Sequence, residues 1–121
     1  MFLGLLAACG KKEDTAAAPA AAPQAQAPAP TAQVDENLLK GERVYKGTCA
    51  MCHGTGAGGA PMFKSKAEWE PRIAQGKETL YEHALKGFNG TKGAMPAKGG
   101  NNALPDEDVK AAVDYMVSMA K

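Results

Sequence analysis

The chain has 121 residues, with 14 Lys and Arg against 13 Asp and Glu and a formal net charge of +1, so it has room for one domain plus accessories and carries no basic footprint for wholesale nucleic-acid binding. Aromatic residues make up only 6% while Ala and Gly abound, and a small domain with so few large side chains struggles to build a core from protein alone, so it would gain from a large apolar cofactor. No apolar run reaches the roughly 18 residues that a transmembrane helix needs, so none is expected.

The first ten residues, "MFLGLLAACG", are a short apolar run ending in small residues and a cysteine. They resemble the lipobox of a bacterial lipoprotein signal peptide, with Leu6, Ala7, Ala8 and Cys9 in its four positions. The resemblance implies cleavage before Cys9, leaving 1–8 as a signal remnant, and lipidation of the Cys9 thiol and amine. Such a signal opens on a basic segment. No Lys or Arg precedes Cys9, so that segment is expected upstream of Met1. The alternative is a frayed N-terminus with an incidental cysteine. Residues 15–33, "TAAAPAAAPQAQAPAPTAQ", are uncharged and rich in Ala, Pro and Gln, which gives a semi-rigid tether and no core. At about 3.1 Å per residue this stretch spans at most about 60 Å. Residues 9–34 are therefore expected to be anchor and tether, and 35–121 the folded domain, with no internal repeat.

Helix signals open at "VDENLLKGERVYKGT", with Asp35 as the expected N-cap. Leu38, Gly41 and Tyr45 fall on one face. A glycine inside a helix costs about 1 kcal/mol relative to alanine, and Gly41 therefore reads as a place where another backbone comes close. A short helix is expected around 66–75, constrained by Pro71, and another over 78–86, "ETLYEHALK", ended by Gly87. The last helix, "PDEDVKAAVDYMVSMAK", places Pro105 in the first turn. Asp106, Glu107 and Asp108 sit at its positive end and Lys121 at its negative end. Val109, Ala112, Val113, Met116 and Val117 make an apolar stripe of helical period. Glycine-rich loops fill 54–62 and 87–103, and no strand is expected. The fold class is all-α, small and loop-rich.

Of three cysteines, two lie in "CAMCHGTG", Cys49 and Cys52, with His53 directly after. Four chemistries use such a pair. A thiol–disulfide oxidoreductase places it after a strand, and no strand is read here. A zinc site needs four ligands, and only His83 remains as a second histidine. A structural disulfide leaves His53 unexplained. Covalent haem attachment has C-x-x-C-H as its signature. Two thiols one helical turn apart can each add to a vinyl group on one porphyrin edge, and the next residue projects toward the iron. His53 is then the proximal ligand, and its other ring N–H needs an acceptor that fixes the tautomer. The cofactor is expected to be a single, covalently attached haem c.

A low-spin carrier needs a sixth ligand, and the chain has six methionines. Met1 leaves with the signal, Met51 lies between the haem cysteines, and Met62 comes closely behind. Met116 and Met119 belong to the last helix, where filling is their ordinary role. Met95, in "GAMPAKGG", sits in a flexible loop stiffened by Pro96, and His/Met is a common electron-transfer pairing. His53 and Met95 are the expected metal ligands.

With these residues the sequence resembles the class I c-type cytochromes, and among them the cytochrome c5 group, over about residues 36–119. The resemblance rests on "GERVYKGTCAMCHGTGAGGAP", "WEPR" at 69–72, "ALKGFNGTKGAMPAKGG" and "DEDVKAAVDYM". It implies a small fold of three to four helices around the haem, with first and last helices crossing so that Gly41 and Tyr45 meet Ala112 and Tyr115. It implies that the Pro61 carbonyl takes the His53 N–H, and that Trp69 and Arg72 lie near the haem propionates, a plain packing role for Trp69 staying open. The extra cysteine pair of some c5 cytochromes is absent. His83 reads as a surface helix residue, with bis-His ligation as an alternative.

The function expected is that of a one-electron carrier in a periplasmic respiratory chain, not an enzyme by itself. Cys9 would tether it to a bacterial membrane. Its partners would be redox proteins, namely a quinol–cytochrome c reductase, a terminal oxidase or another periplasmic reductase, with no nucleic acid. Lys64, Lys66, Lys86, Lys92 and Lys98 lie in segments expected to frame the haem, either as a docking patch or as ordinary solubilising lysines. The rival classes are a haem enzyme or gas sensor whose Met95 bond opens, and a zinc-binding interaction module.

Overall fold

Helix α1 runs over Pro30–Val44 and begins five residues before Asp35, which lies inside it. Proline in the first turn presets a helical φ and lacks only an N–H that would have no partner there, so the helix starts at Pro30 with no side-chain cap. The computed structural model describes residues 29–121. Cys9, the signal remnant and the tether up to residue 28 lie outside the described residues.

A π-turn, Tyr45–Cys49, continues α1, the Ala50 N–H bonding to the Tyr45 carbonyl, and leads into the short helix α2 (Ala50–His53). The wide turn adds a residue to the helical count and rotates the segment beyond it about the helix axis. Tyr45 therefore stays buried against Tyr115 while His53 is buried further along the chain. Helix α3 is Lys66–Ile73, with Pro71 inside it, and α4 is Lys77–Lys86. Helix α5 is Asp106–Met119; Pro105 stands at its N-cap, one place before the first turn. Its expected stripe, Val109, Ala112, Val113, Met116 and Val117, is buried, together with Ala111.

Helices α1 and α5 cross at Gly41. A Cβ there would collide with the Ala111 carbonyl and sit 2.9 Å from Tyr115 Cβ. The close approach expected of Gly41 is present, with Ala111 rather than Ala112 opposite it. Tyr45 stacks on Phe63 at 4.3 Å between ring centroids and leans on Tyr115 at 5.7 Å. Asp114 links three helices: it accepts from Tyr81 Oη at 2.6 Å and Asn37 Nδ2 at 3.1 Å, and pairs with Lys77 at 3.0 Å.

The expectation of no strand is overturned. The loop after α4 contains two short antiparallel strands, β1 (Phe88–Asn89) and β2 (Ala94–Met95), paired Phe88 with Met95 and Asn89 with Ala94. Two residues are too few to show alternation in a sequence. Among the described residues four helices have eight residues or more, which fits the small all-α fold of the class I cytochromes, the ladder being a detail of one loop.

Candidate functional site

Between α2, the 54–62 loop, helices α3 to α5 and the β1–β2 loop lies a cavity of about 590 Å³. Cys49, Cys52 and His53 line it from one side, and Met95, Leu80 and Met116 from others. The two glycine loops meet at its rim. A Cβ on Gly59 would strike the Lys92 carbonyl, and one on Gly93 the Gly58 carbonyl. Only glycine permits this closure, and Gly59 also needs its φ of 77°.

His53 is 93% buried, since only 7% of its surface is exposed. Its Nδ1–H donates to the Pro61 carbonyl at 2.9 Å, which leaves Nε2 as the ring nitrogen with a free lone pair. Burial lowers its pKa; the Pro61 bond works the other way, and the nearby Arg72 charge lowers it again. The ring is thereby kept neutral, the form that binds metal. The Cys49 thiol is pushed up to about 11 by burial and by Cys52. Its partner Cys52 is exposed. Among the described residues no three His, Cys, Asp or Glu side chains converge to hold a metal ion.

Comparison with known proteins decides the family. Residues 36–116 match the family described as "Cytochrome C oxidase, cbb3-type, subunit III". Cytochrome c-555 of Chlorobaculum tepidum is 54% identical, covering 67% of this chain and 75% of its own. The chain belongs to the class I c-type cytochromes. Cytochrome c5 of Azotobacter vinelandii is 36% identical to this cytochrome, over 63% of it and 89% of the relative. A solved chain from a structure described as an electron transfer complex of nitrite reductase with cytochrome c has a TM-score of 0.60 and 36% identity, covering 68% of this chain and 95% of that one.

The cytochrome carries one covalently attached haem c, and the cavity fits it. A protein interior does not keep a largely apolar void of this size without an occupant, and 590 Å³ is within the roughly 300–1,000 Å³ of cofactor and ligand sites. Two thiols and one free imidazole nitrogen are the polar handles such a group needs.

The expected site residues come together around this cavity: Cys49, Cys52, His53, Pro61, Trp69, Arg72 and Met95 all line it. Trp69 is buried, and its Nε1–H donates to the Met62 carbonyl at 2.9 Å. Its only donor is thus engaged, and the indole serves as a wall beside the His53 ring, 5.9 Å away. Arg72 donates to the Glu68 carbonyl and has no ion pair among the described residues. Met62 is 45% exposed and does not line the cavity. Of the five lysines, Lys92 lines the cavity. Lys86 pairs with Glu82 at 2.9 Å, and Lys98 is held by Asp106 at 2.7 Å and the Leu104 carbonyl at 2.8 Å.

Among the lining residues outside the set expected from the sequence are His83 and Met116. His83 is not a surface residue of its helix; it is half-buried, faces the cavity and stacks on Phe88 at 4.1 Å. The signal was its position three residues after the buried Leu80, which puts the two side by side on the helix. Met116, 3% exposed, belongs both to the core and to the cavity wall.

Proposed function

We propose that this cytochrome is a periplasmic one-electron carrier, held to a bacterial membrane through lipidated Cys9, with His53 and Met95 as its axial ligands. The bound haem supplies a one-electron ferric–ferrous couple. The chain's part is to hold the group by two thioethers at Cys49 and Cys52, to orient a neutral His53 through Pro61, and to exclude water with the apolar wall of Trp69, Leu80 and Val113. Arg72, close to the His53 side and free of carboxylate partners among the described residues, is suited to a haem propionate. The reading is of an electron carrier, not an enzyme by itself.

The observation that carries the ligand reading is the position of Met95. It lines the cavity from a short strand, whereas Met62 lies outside the lining and Met116 is packed into α5. Met95→Ala should open the sixth position, so that carbon monoxide shifts the ferrous spectrum; Met62→Leu should leave the wild-type spectrum and poor carbon monoxide binding unchanged. The reverse result would reassign the ligand. One observation favours a second pairing: His83 also lines the cavity. If it were the ligand, His83→Ala rather than Met95→Ala would open the site.

Redox proteins are the partners proposed, with a quinol–cytochrome c reductase as donor and a terminal oxidase or another periplasmic reductase as acceptor. The nitrite reductase complex of the related cytochrome supports this reading. Mass spectrometry of Cys9 in the native protein tests the anchor, and an unmodified thiol would refute it.

A further inference from the structure

The peptide that holds His53 is itself held from behind. The Pro61 carbonyl accepts from His53 Nδ1–H at 2.9 Å, and the N–H of the same peptide unit, that of Met62, donates to Glu68 Oε2 at 2.8 Å. The next peptide is fixed as well. The Met62 carbonyl accepts from Trp69 Nε1 at 2.9 Å and from the Ser65 N–H at 3.1 Å, while the Phe63 N–H donates to the His53 carbonyl at 2.7 Å. Glu68 is the third residue of α3 after its N-cap Ser65. From that place a glutamate ordinarily reaches back to the N–H of its own N-cap. Here it reaches past Ser65 to Met62.

We propose that Glu68 is a positioning residue that tunes the His53 ligand through the Pro61–Met62 peptide, the imidazole N–H, the peptide and the carboxylate forming one chain of hydrogen bonds that ends on a negative charge. The proposal rests on the reading of His53 as iron ligand. Hydrogen bonds in series polarise one another. A carboxylate on the peptide N–H makes the Pro61 carbonyl a stronger acceptor, and this draws the Nδ1 proton and leaves more electron density on Nε2. An acceptor behind a ligating histidine raises its basicity in just this sense. A more basic ligand favours the ferric state, so the chain lowers the reduction potential. The Glu68 carboxyl is held below its ordinary range, first by the Met62 N–H; burial opposes this, and Ser65, Lys92 and Arg72 lower it further, so the far end is charged at neutral pH.

Two variants of the holoprotein separate the hydrogen bond from the charge. Glu68→Gln keeps an acceptor and loses the charge. Glu68→Asp keeps the charge on a side chain one methylene too short. Both should raise the potential, displacing the ferric–ferrous equilibrium by roughly three- to tenfold, at about 59 mV per tenfold for one electron. Both should also move the His53 Nδ1–H proton resonance of the ferrous protein upfield and speed its exchange with solvent. Glu70→Gln, which removes an exposed charge from the same helix, should do neither. The proposal is overturned if both Glu68 variants keep the wild-type potential and resonance. It is overturned equally if Glu68→Gln alone shifts the potential, with the resonance unmoved, because that is a charge acting through space. Failure of the underlying reading looks different: His53→Ala would then keep the wild-type low-spin spectrum.

Discussion

Met95 is fixed by its backbone as much as by its side chain. Gly87, at φ 86°, lets the Met95–Pro96 segment come so close that a Cβ on residue 87 would lie 3.0 Å from the Met95 carbonyl oxygen and from the Ala97 N–H nitrogen. Pairing of Phe88 with Met95 holds the same segment from the other side. As the sixth ligand, a thioether placed this way would need little reorganisation between oxidation states. Thioether sulfur favours ferrous iron and imidazole favours ferric iron. Met95→His should therefore lower the reduction potential while six-coordination is retained. Axial ligands span about 0.8 V across haem proteins, and a fall on the order of 0.1–0.2 V is expected. Redox titration of the variant measures it directly, and a potential equal to or above wild type would exclude Met95 as ligand.

At the scale of elements, the α1–α5 crossing is where backbone meets backbone. Gly41→Ala would gain about 1 kcal/mol of helix propensity and lose roughly 1–3 kcal/mol to overpacking. The group struck is the Ala111 carbonyl, which the α5 ladder holds in place, so the loss falls at the upper end. A net destabilisation of about 1–2 kcal/mol is expected, read from the denaturant midpoint of the holoprotein; an unchanged midpoint would show that parting the helices costs no more than the propensity gained. This crossing was legible in the sequence because a glycine inside a helical period has few other reasons to be there. The α5 stripe was legible because five apolar residues kept a 3.6 period. The π-turn was not, since Tyr45–Cys49 has nothing in its composition to distinguish it from continued α-helix. The ladder of β1 and β2 was too short to alternate. At the site, the thiols and His53 announce themselves by spacing alone, and Met95 by its loop. The contact of Glu68 with Met62 joins two segments through a backbone N–H, and no side-chain pattern encodes that.

For the whole molecule, the cavity replaces the centre of the core. Trp69, Leu80, Ala84, Val113 and Met116 belong at once to the buried cluster and to the cavity wall. They have little else to pack on from that side. At about 24 cal/mol per Å³ an empty space of 590 Å³ would cost about 14 kcal/mol. That is an upper figure, since the cavity opens to water beside the exposed Cys52. Half of it would still match the whole stability of a small domain, about 5–15 kcal/mol. The haem is therefore expected to be a structural requirement as well as the redox centre. The Cys49→Ala/Cys52→Ala double variant, isolated free of haem, should lose most of its helical circular dichroism and show no cooperative thermal transition. Helices α1 and α5, which touch each other directly, are the elements best able to keep residual structure, although the glycine that lets them meet also weakens α1 by itself. A haem-free variant with the helical content and a melting transition of the holoprotein would mean that the surrounding segments collapse into a core of their own, and that the cavity does not set the stability of the fold.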